Sequence, residues 1–184
     1  MTYDSAIHHR RSIRLKGYNY SLRGLYFITI CCQDNVCCFG KIENDKMILN
    51  NTGKITNQCW LEIPRHFLNV ELHEYVVMPN HIHGIIELVG TKNFSLKIIS
   101  SELGVNNDNV GAKNFSPLRP HGTSRTIGSI IRGFKIGVTK QLGASIWQRN
   151  YYEHIIRNEQ SYQNISQYIT TNPVNWQNDK FYVE

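Results

Sequence analysis

Apolar and polar positions follow two rhythms along this chain, one of period two and one near 3.6, and the switches between them mark out its elements. Leu25 to Cys32 is a short, nearly continuous apolar run and reads as a buried strand. Val36 to Gly40 and Lys46 to Leu49 then read as the arms of a hairpin around Glu43-Asn44-Asp45. From about Lys54 to Arg65, Ile55, Cys59 and Ile63 recur at i, i+4 and i+8, which predicts a helix capped by Asn51 or Thr52 and made irregular at its end by Pro64. Val70 to Met78 and His81 to Leu88 return to strand, joined tightly at Pro79-Asn80. A second helix is expected from about Arg125 to Leu142, capped by Ser124 or Thr123. Its stripe of Ile127, Ile130, Ile131, Phe134 and Val138 lies opposite an arc of Arg125, Arg132, Lys135 and Lys140. Ile146 to Ile156 reads as another strand, and Asn158 caps a last helix that runs to about Thr171 and stops at Pro173.

The stretch from Val89 to Thr123 fits neither rhythm. It is rich in Gly, Asn and Ser, and Val89-Gly90-Thr91-Lys92-Asn93-Phe94-Ser95 nearly recurs as Val110-Gly111-Ala112-Lys113-Asn114-Phe115-Ser116. One duplication cannot build a solenoid, which needs at least about three repeats. Residues 89–123 therefore read as a mobile insertion within one domain spanning 1–184, and residues 1–23 as a basic N-terminal arm.

Composition narrows the class. A 41% hydrophobic and 18% charged chain is ordinary for a globular protein, and no apolar run approaches the roughly 20 residues of a membrane helix. The polar, basic N-terminus lacks a signal-peptide pattern, so the expected location is cytoplasmic, and nucleoid-associated if the partner is DNA. Four of the five cysteines fall in Cys31-Cys32 and Cys37-Cys38, where adjacent side chains of a strand point to opposite faces. That favours reduced cysteines acting as small hydrophobes over a zinc clamp.

Charge is segregated. Residues 1–24 carry five basic side chains and one acidic, and residues 109–152 carry seven basic and none acidic. Two basic blocks without compensating acids point to a polyanionic partner, of which nucleic acid is the commonest.

The candidate chemistry lies on the strand beginning at His81. His81 and His83 stand at i and i+2 and share a face, so both imidazoles can reach one cation. On the last helix Tyr168 and Asn172 are one turn apart and also share a face. A tyrosine beside a histidine-bound metal suits phosphoryl transfer, because a divalent ion neutralises a phosphodiester ahead of attack by an oxygen nucleophile. Tyr151 and Tyr152 are rival nucleophiles that read as packing or base-stacking residues. Trp147, Gln148 and Arg149 either contact DNA or pack.

Three ordered motifs, Val-Val-Met-Pro-Asn-His-Ile-His-Gly-Ile-Ile, Trp-Gln-Arg-Asn-Tyr-Tyr-Glu-His-Ile-Ile-Arg and Tyr-Ile-Thr-Thr-Asn-Pro-Val, together resemble the single-tyrosine transposases of the HUH superfamily. The REP-associated branch is the nearest in pattern. The resemblance implies an α+β fold with a ferredoxin-like βαββαβ core: a central antiparallel sheet, helices on one face, and a C-terminal helix carrying the nucleophile. It implies single-stranded DNA and DNA hairpins as partners, and Mg2+ or Mn2+ as cofactor. Tyr168 would form a 5′-phosphotyrosine, and His81, His83 and Asn172 would hold the metal, although many relatives have glutamine at the last position. Arg10, Arg11, Arg14, Lys16, Arg125, Arg132, Lys135, Lys140 and Arg149 would grip DNA. Membrane association is not expected, and the pattern leaves monomer and homodimer both open.

Other classes stay in view. A replication initiator usually has lysine three residues after the tyrosine, where this chain has Thr171. A relaxase usually has a third histidine soon after the pair and an early nucleophile, and this chain has neither; a metallo-hydrolase of the His-x-His-x-Asp-His type is disfavoured because Gly84, Ile85 and Ile86 follow His83. A non-catalytic or domesticated DNA-hairpin-binding protein is the non-enzyme alternative.

Overall fold

The computed structural model describes residues 19–89 and 126–183. Most of the expected basic arm and of the expected insertion lies outside these residues, with Arg10, Arg11, Arg14, Lys16 and Arg125. Four strands, β1 (Gly24–Cys31), β4 (Val70–Val77), β5 (His81–Leu88) and β6 (Tyr152–Ile156), form one antiparallel sheet in the order β4-β5-β1-β6. A separate hairpin pairs β2 (Gly40–Glu43) with β3 (Lys46–Leu49). The described helices are α1 (Asn51–Leu61), the short α2 (Ile63–His66), α3 (Ile127–Leu142) and α4 (Glu159–Thr171). Taken with its helices the main sheet runs β1-α1-β4-β5-α3-β6, and α4 follows.

The two faces of the sheet do different work. Because side chains alternate along a strand, Tyr26, Ile28 and Ile30 of β1 face the same way as Ile82, Ile86 and Leu88 of β5. They bury against Trp60 of α1 and the stripe Ile127, Ile130, Ile131, Phe134 and Val138 of α3. This is the main core. The opposite face carries Phe27, Ile85 and Ile156, covered by Ile169 of α4, with Tyr162 and Ile165 packed at the margin. The helices that link the strands thus cover one face and the tyrosine helix covers the other.

Several boundaries differ from the sequence expectation. The first hairpin arm is not Val36 to Gly40: Asp34 and Asn35 take φ of 55° and 54° in a short 3-10 turn, and pairing begins only at Gly40. Asn44 and Asp45, both at positive φ, make the two-residue turn, as the twist of a hairpin favours. Helix α1 is capped by Asn50, whose extended backbone lets its side chain accept the Gly53 N–H at 2.9 Å. Asn51 and Thr52 fall inside the helix. The helix stops at Leu61, and Pro64 sits in the first turn of α2, where it forfeits no hydrogen bond. Helix α3 is capped by Thr126 through a capping box with Ser129.

The last sheet strand is shorter than expected, five residues in place of eleven. The Lys135 ammonium donates to the carbonyls of Gln148 (2.8 Å) and Asn150 (2.9 Å), drawing that segment toward α3, and only Trp147 makes an isolated bridge to Cys32. The cysteines are free thiols. Cys31, Cys32 and Cys59 are buried, and the Cys32 and Cys38 sulfurs share a hydrogen bond at 2.7 Å.

Candidate functional site

On the face covered by α4, β5 presents His81 and His83 side by side, both almost fully buried, with ring centroids 4.4 Å apart. Each is oriented from behind. The Asn80 amide nitrogen donates to the carbonyls of Asn35 (3.0 Å) and Phe181 (2.8 Å), which fixes its oxygen toward His81 Nδ1 at 2.8 Å. His81 Nδ1 must therefore carry the proton, and Nε2 presents its lone pair to the site; that nitrogen is buried without a hydrogen-bond partner. His83 Nδ1 lies 2.8 Å from the hydroxyl of Thr29, the residue opposite it on β1.

Helix α4 brings in the oxygen groups. Its apolar stripe holds it to the sheet, and Tyr162 (3.0 Å) and Ser166 (3.1 Å) both donate to Glu74 Oε2. Glu74 and His73 sit where the β4 ladder breaks register between Leu72 and Tyr75, a bulge of the kind that re-aims side chains beside functional sites. Burial pushes the Glu74 carboxyl up, but hydrogen bonds from its own backbone, Tyr162 and Ser166 outweigh this and leave it below the ordinary range. So docked, α4 places the Tyr168 hydroxyl 3.1 Å from His83 Nε2 while it donates to Asp179 Oδ2 at 3.1 Å. Asn172, one turn on, is buried and donates to the same Asp179 oxygen at 3.0 Å. Its own oxygen is buried without a partner.

Asp179 had no place in the sequence reading. It follows the 3-10 turn Trp176–Asn178, which folds the chain back toward the histidines, and its Oδ1 accepts the Phe181 N–H at 2.7 Å. Phe181 in turn packs on His81 with ring centroids 4.6 Å apart. The available signal was composition: Asp179 is the one acidic residue between Glu159 and Glu184. Ligating atoms of His81, His83 and Asp179 lie within 4.8 Å of one another, the one such cluster among the described residues.

The electrostatics suit a cation. Burial, foremost, pushes His81 down to about 4, with Asp179 pulling it up and Lys180 pushing it down. Burial, with His81 and Lys180 adding to it, holds His83 well below the usual imidazole range. Both rings are neutral at pH 7, the form that ligates metals. Burial and the adjoining Asp179 carboxylate push Tyr168 up to about 12, so without a cation the phenol keeps its proton. Two imidazole nitrogens and a carboxylate, with unpartnered lone pairs on His81 Nε2 and Asn172 Oδ1 beside them, form a donor set that fits a divalent metal.

No protein-family model matches the chain. A Haemophilus influenzae protein of uncharacterised function is 48% identical to it, over 99% of this chain and 98% of its own length. A solved structure of a REP-associated tyrosine transposase bound to a REP hairpin shares the fold, with a TM-score of 0.53 at 22% identity over 90% of this chain and 74% of the other. A second H. influenzae protein, assigned as a REP-associated tyrosine transposase, is 26% identical over 85% of this chain and 73% of that protein. The chain is a distant relative of the REP-associated tyrosine transposases.

In this relative of the REP-associated tyrosine transposases, the described residues among those expected to grip DNA gather away from the histidines. Arg132, Lys135, Lys140 and Arg149 line one groove of about 690 Å³ between α3 and the segment leading to β6, with Trp147 and Tyr151 in its wall. Arg132, Lys140 and Arg149 are exposed. Lys135 is half-buried, its ammonium engaged with two carbonyls, and burial pushes it down to about 8. No helix among the described residues is long and apolar enough to cross a membrane.

Proposed function

We propose that this protein is a metal-dependent endonuclease and strand transferase acting on single-stranded DNA next to a hairpin, with Tyr168 as its nucleophile. The observation that carries the reading is the position of one hydroxyl: Tyr168 lies 3.1 Å from both His83 Nε2 and Asp179 Oδ2, beside the unpartnered Nε2 of His81.

His81, His83 and Asp179 would hold the cation, with Asn172 Oδ1 the further oxygen donor beside them. Held there, Mg2+ or Mn2+ would supply positive charge to neutralise the scissile phosphodiester and to favour the tyrosinate. Thr29 and Asn80 hold the two imidazoles in ligating orientation, and Phe27 packs on His83 with ring centroids 5.3 Å apart. The Tyr168 oxygen attacks phosphorus, its proton directed along the hydrogen bond to Asp179. The bond to the 3′ oxygen breaks and that oxygen takes up a proton from solvent, giving a 5′-phosphotyrosine and a 3′-hydroxyl. A 3′-hydroxyl can reverse the step on the same phosphate, so strands rejoin without a nucleotide cofactor. Arg132, Lys140 and Arg149 would grip the phosphates of the hairpin stem, with Lys135 shaping that groove; Arg10, Arg11, Arg14, Lys16 and Arg125 extend the same role. Hairpin recognition is supported by the REP hairpin held by the relative that shares this fold.

The test is a denaturing gel of protein with labelled hairpin oligonucleotides bearing single-stranded extensions, taken from the flanks of its own gene, in manganese or in EDTA. A covalent protein–DNA band that needs manganese and disappears in Tyr168→Phe is the expected result. A hairpin that shifts on a native gel while no adduct or cleavage forms would replace this reading with DNA binding alone.

A further inference from the structure

One row of side chains crosses the sheet on the face of the histidines. In the strand register His83 of β5 lies opposite Thr29 of β1, and Thr29 lies opposite Tyr152 of β6. The three residues thus stand on adjacent strands, with neighbours about 4.8 Å apart and their side chains on one face. His83 and Thr29 are buried, whereas Tyr152, on the edge strand, is 49% exposed. Its ring meets Phe27 edge-on at 6.3 Å, and Tyr168 meets the same Phe27 edge-on at 6.2 Å, so the two tyrosines flank one buried ring. Above Tyr152, 5.4 Å from its centroid, stands the ammonium of Lys180, which follows Asp179 directly and also lies 4.7 Å from the Phe181 ring.

A half-exposed tyrosine ring beside a phosphate-directed nucleophile, with a cation over it, has the two elements that hold single-stranded nucleic acid: an aromatic surface for a base and a positive charge for the backbone. We propose that Tyr152 and Lys180 form a binding site for one nucleotide of the single strand, the base stacking on Tyr152 and its phosphate meeting Lys180, so that this nucleotide fixes which phosphodiester reaches Tyr168. The site takes any base, since a ring offers its π-face without reading hydrogen-bonding edges. It deepens the nuclease reading above and rests on it for the identity of the strand, but binding alone suffices to test it.

The experiment measures fluorescence anisotropy of a labelled hairpin with a single-stranded extension against full-length Tyr168→Phe protein, which cannot cleave. A series of oligonucleotides carries one abasic nucleotide at each extension position in turn. Stacking on one ring predicts that Tyr152→Thr, which keeps a strand-favouring residue, weakens binding about 5- to 150-fold while Tyr152→Trp preserves it. One abasic position should cause the same loss in the parent and none in Tyr152→Thr, because base and ring are the two halves of one contact. Lys180→Gln should flatten the salt dependence without moving the sensitive position. Equal affinity of parent and Tyr152→Thr, or a Tyr152→Thr loss that adds to every abasic loss alike, would overturn the proposal. A covalent adduct in wild type with no Tyr152 effect would sink this site and leave the nuclease reading standing. A position-specific Tyr152 effect with no adduct would do the reverse.

Discussion

Gly84, the residue directly after His83, offers a decisive perturbation because it couples the core to the candidate site through one strand. A Cβ built at Gly84 would stand 2.4 Å from Trp60 Cζ2 and 3.1 Å from Tyr75 Cβ, against an ordinary carbon–carbon contact of about 3.5–4.0 Å. Trp60 has little room to yield: it is fully buried, edge-on to Phe134 at 5.4 Å and stacked on Tyr75 at 6.0 Å. Gly84→Ala therefore forces β5 itself to move. Overpacking of this kind costs about 1–3 kcal/mol, and the entropy lost from the unfolded chain offsets up to about 1 kcal/mol of it. A net loss of about 2 kcal/mol in a domain of this size lowers Tm by roughly 4–8 °C. Thermal unfolding followed by circular dichroism measures it, and Trp60→Phe, which trims the ring in the way, should reduce the Gly84→Ala increment in the double variant. The displaced strand carries His81 and His83 on its other side, so manganese affinity measured by calorimetry should fall in the same protein. An unchanged or raised Tm, or increments that simply add, would refute the close-packing account.

Thr29→Val removes the hydroxyl that orients His83 while keeping the shape of the side chain, and manganese affinity should drop about 10- to 100-fold with little change in Tm, by calorimetry and melting respectively. Saturating manganese should stabilise the wild type by about 2.7 kcal/mol at a hundredfold excess over Kd, and His81→Ala should abolish that rise in melting scans. Lys135, pushed down to about 8 by burial, is neutral in the folded protein at a pH where the unfolded chain still holds a proton. The unfolded state then binds more protons, so stability relative to Lys135→Met should rise from about pH 8 toward the unfolded value near 10.4, and urea titrations across that window should show the slope only in the wild type. Arg149→Ala should weaken hairpin binding evenly across sequences and lower the salt slope by about one, whereas a change confined to one sequence would mark Arg149 as a base reader.

The elements that burial dictates were legible in the chain. The α3 stripe of Ile127, Ile130, Ile131, Phe134 and Val138 is the set the helix buries, and the spacing of His81 and His83 does put both rings on one face. What was not legible depends on partners remote in sequence. Ile146 to Tyr151 has the composition of a strand, yet Lys135 captures two of its carbonyls and removes them from the sheet. The same contact turns Lys135 from a free surface charge into a strut. Asp179 is invisible to periodicity because a 3-10 turn, not a helix or strand, returns it to the histidines. Helix starts slipped for a local reason: Asn50, Asn51 and Thr52 are all competent caps, and only the extended backbone at Asn50 decides among them.

Asn80 shows how tightly the candidate site is tied to the rest of the chain. In the sequence it is half of a turn-forming pair, and the Pro79-Asn80 link does join β4 to β5. In the fold it is fully buried, and every polar group described for it is used: the carbonyl accepts the Cys32 N–H at 2.8 Å, the amide nitrogen holds the carbonyls of Asn35 and Phe181, and the amide oxygen sets the tautomer of His81. One residue thus ties together the end of β1, the turn that follows it, the first histidine and the tail that carries Asp179. The tail is a loop without a ladder of its own, and a ligand on such a segment is positioned only as well as its anchors allow. Asn80 and the buried Trp176 are those anchors, so the carboxylate and the imidazole it faces are fixed by the same hydrogen-bonded node. If a cation binds as proposed, both nitrogens and the oxygen would be in place before it arrives, leaving little to order.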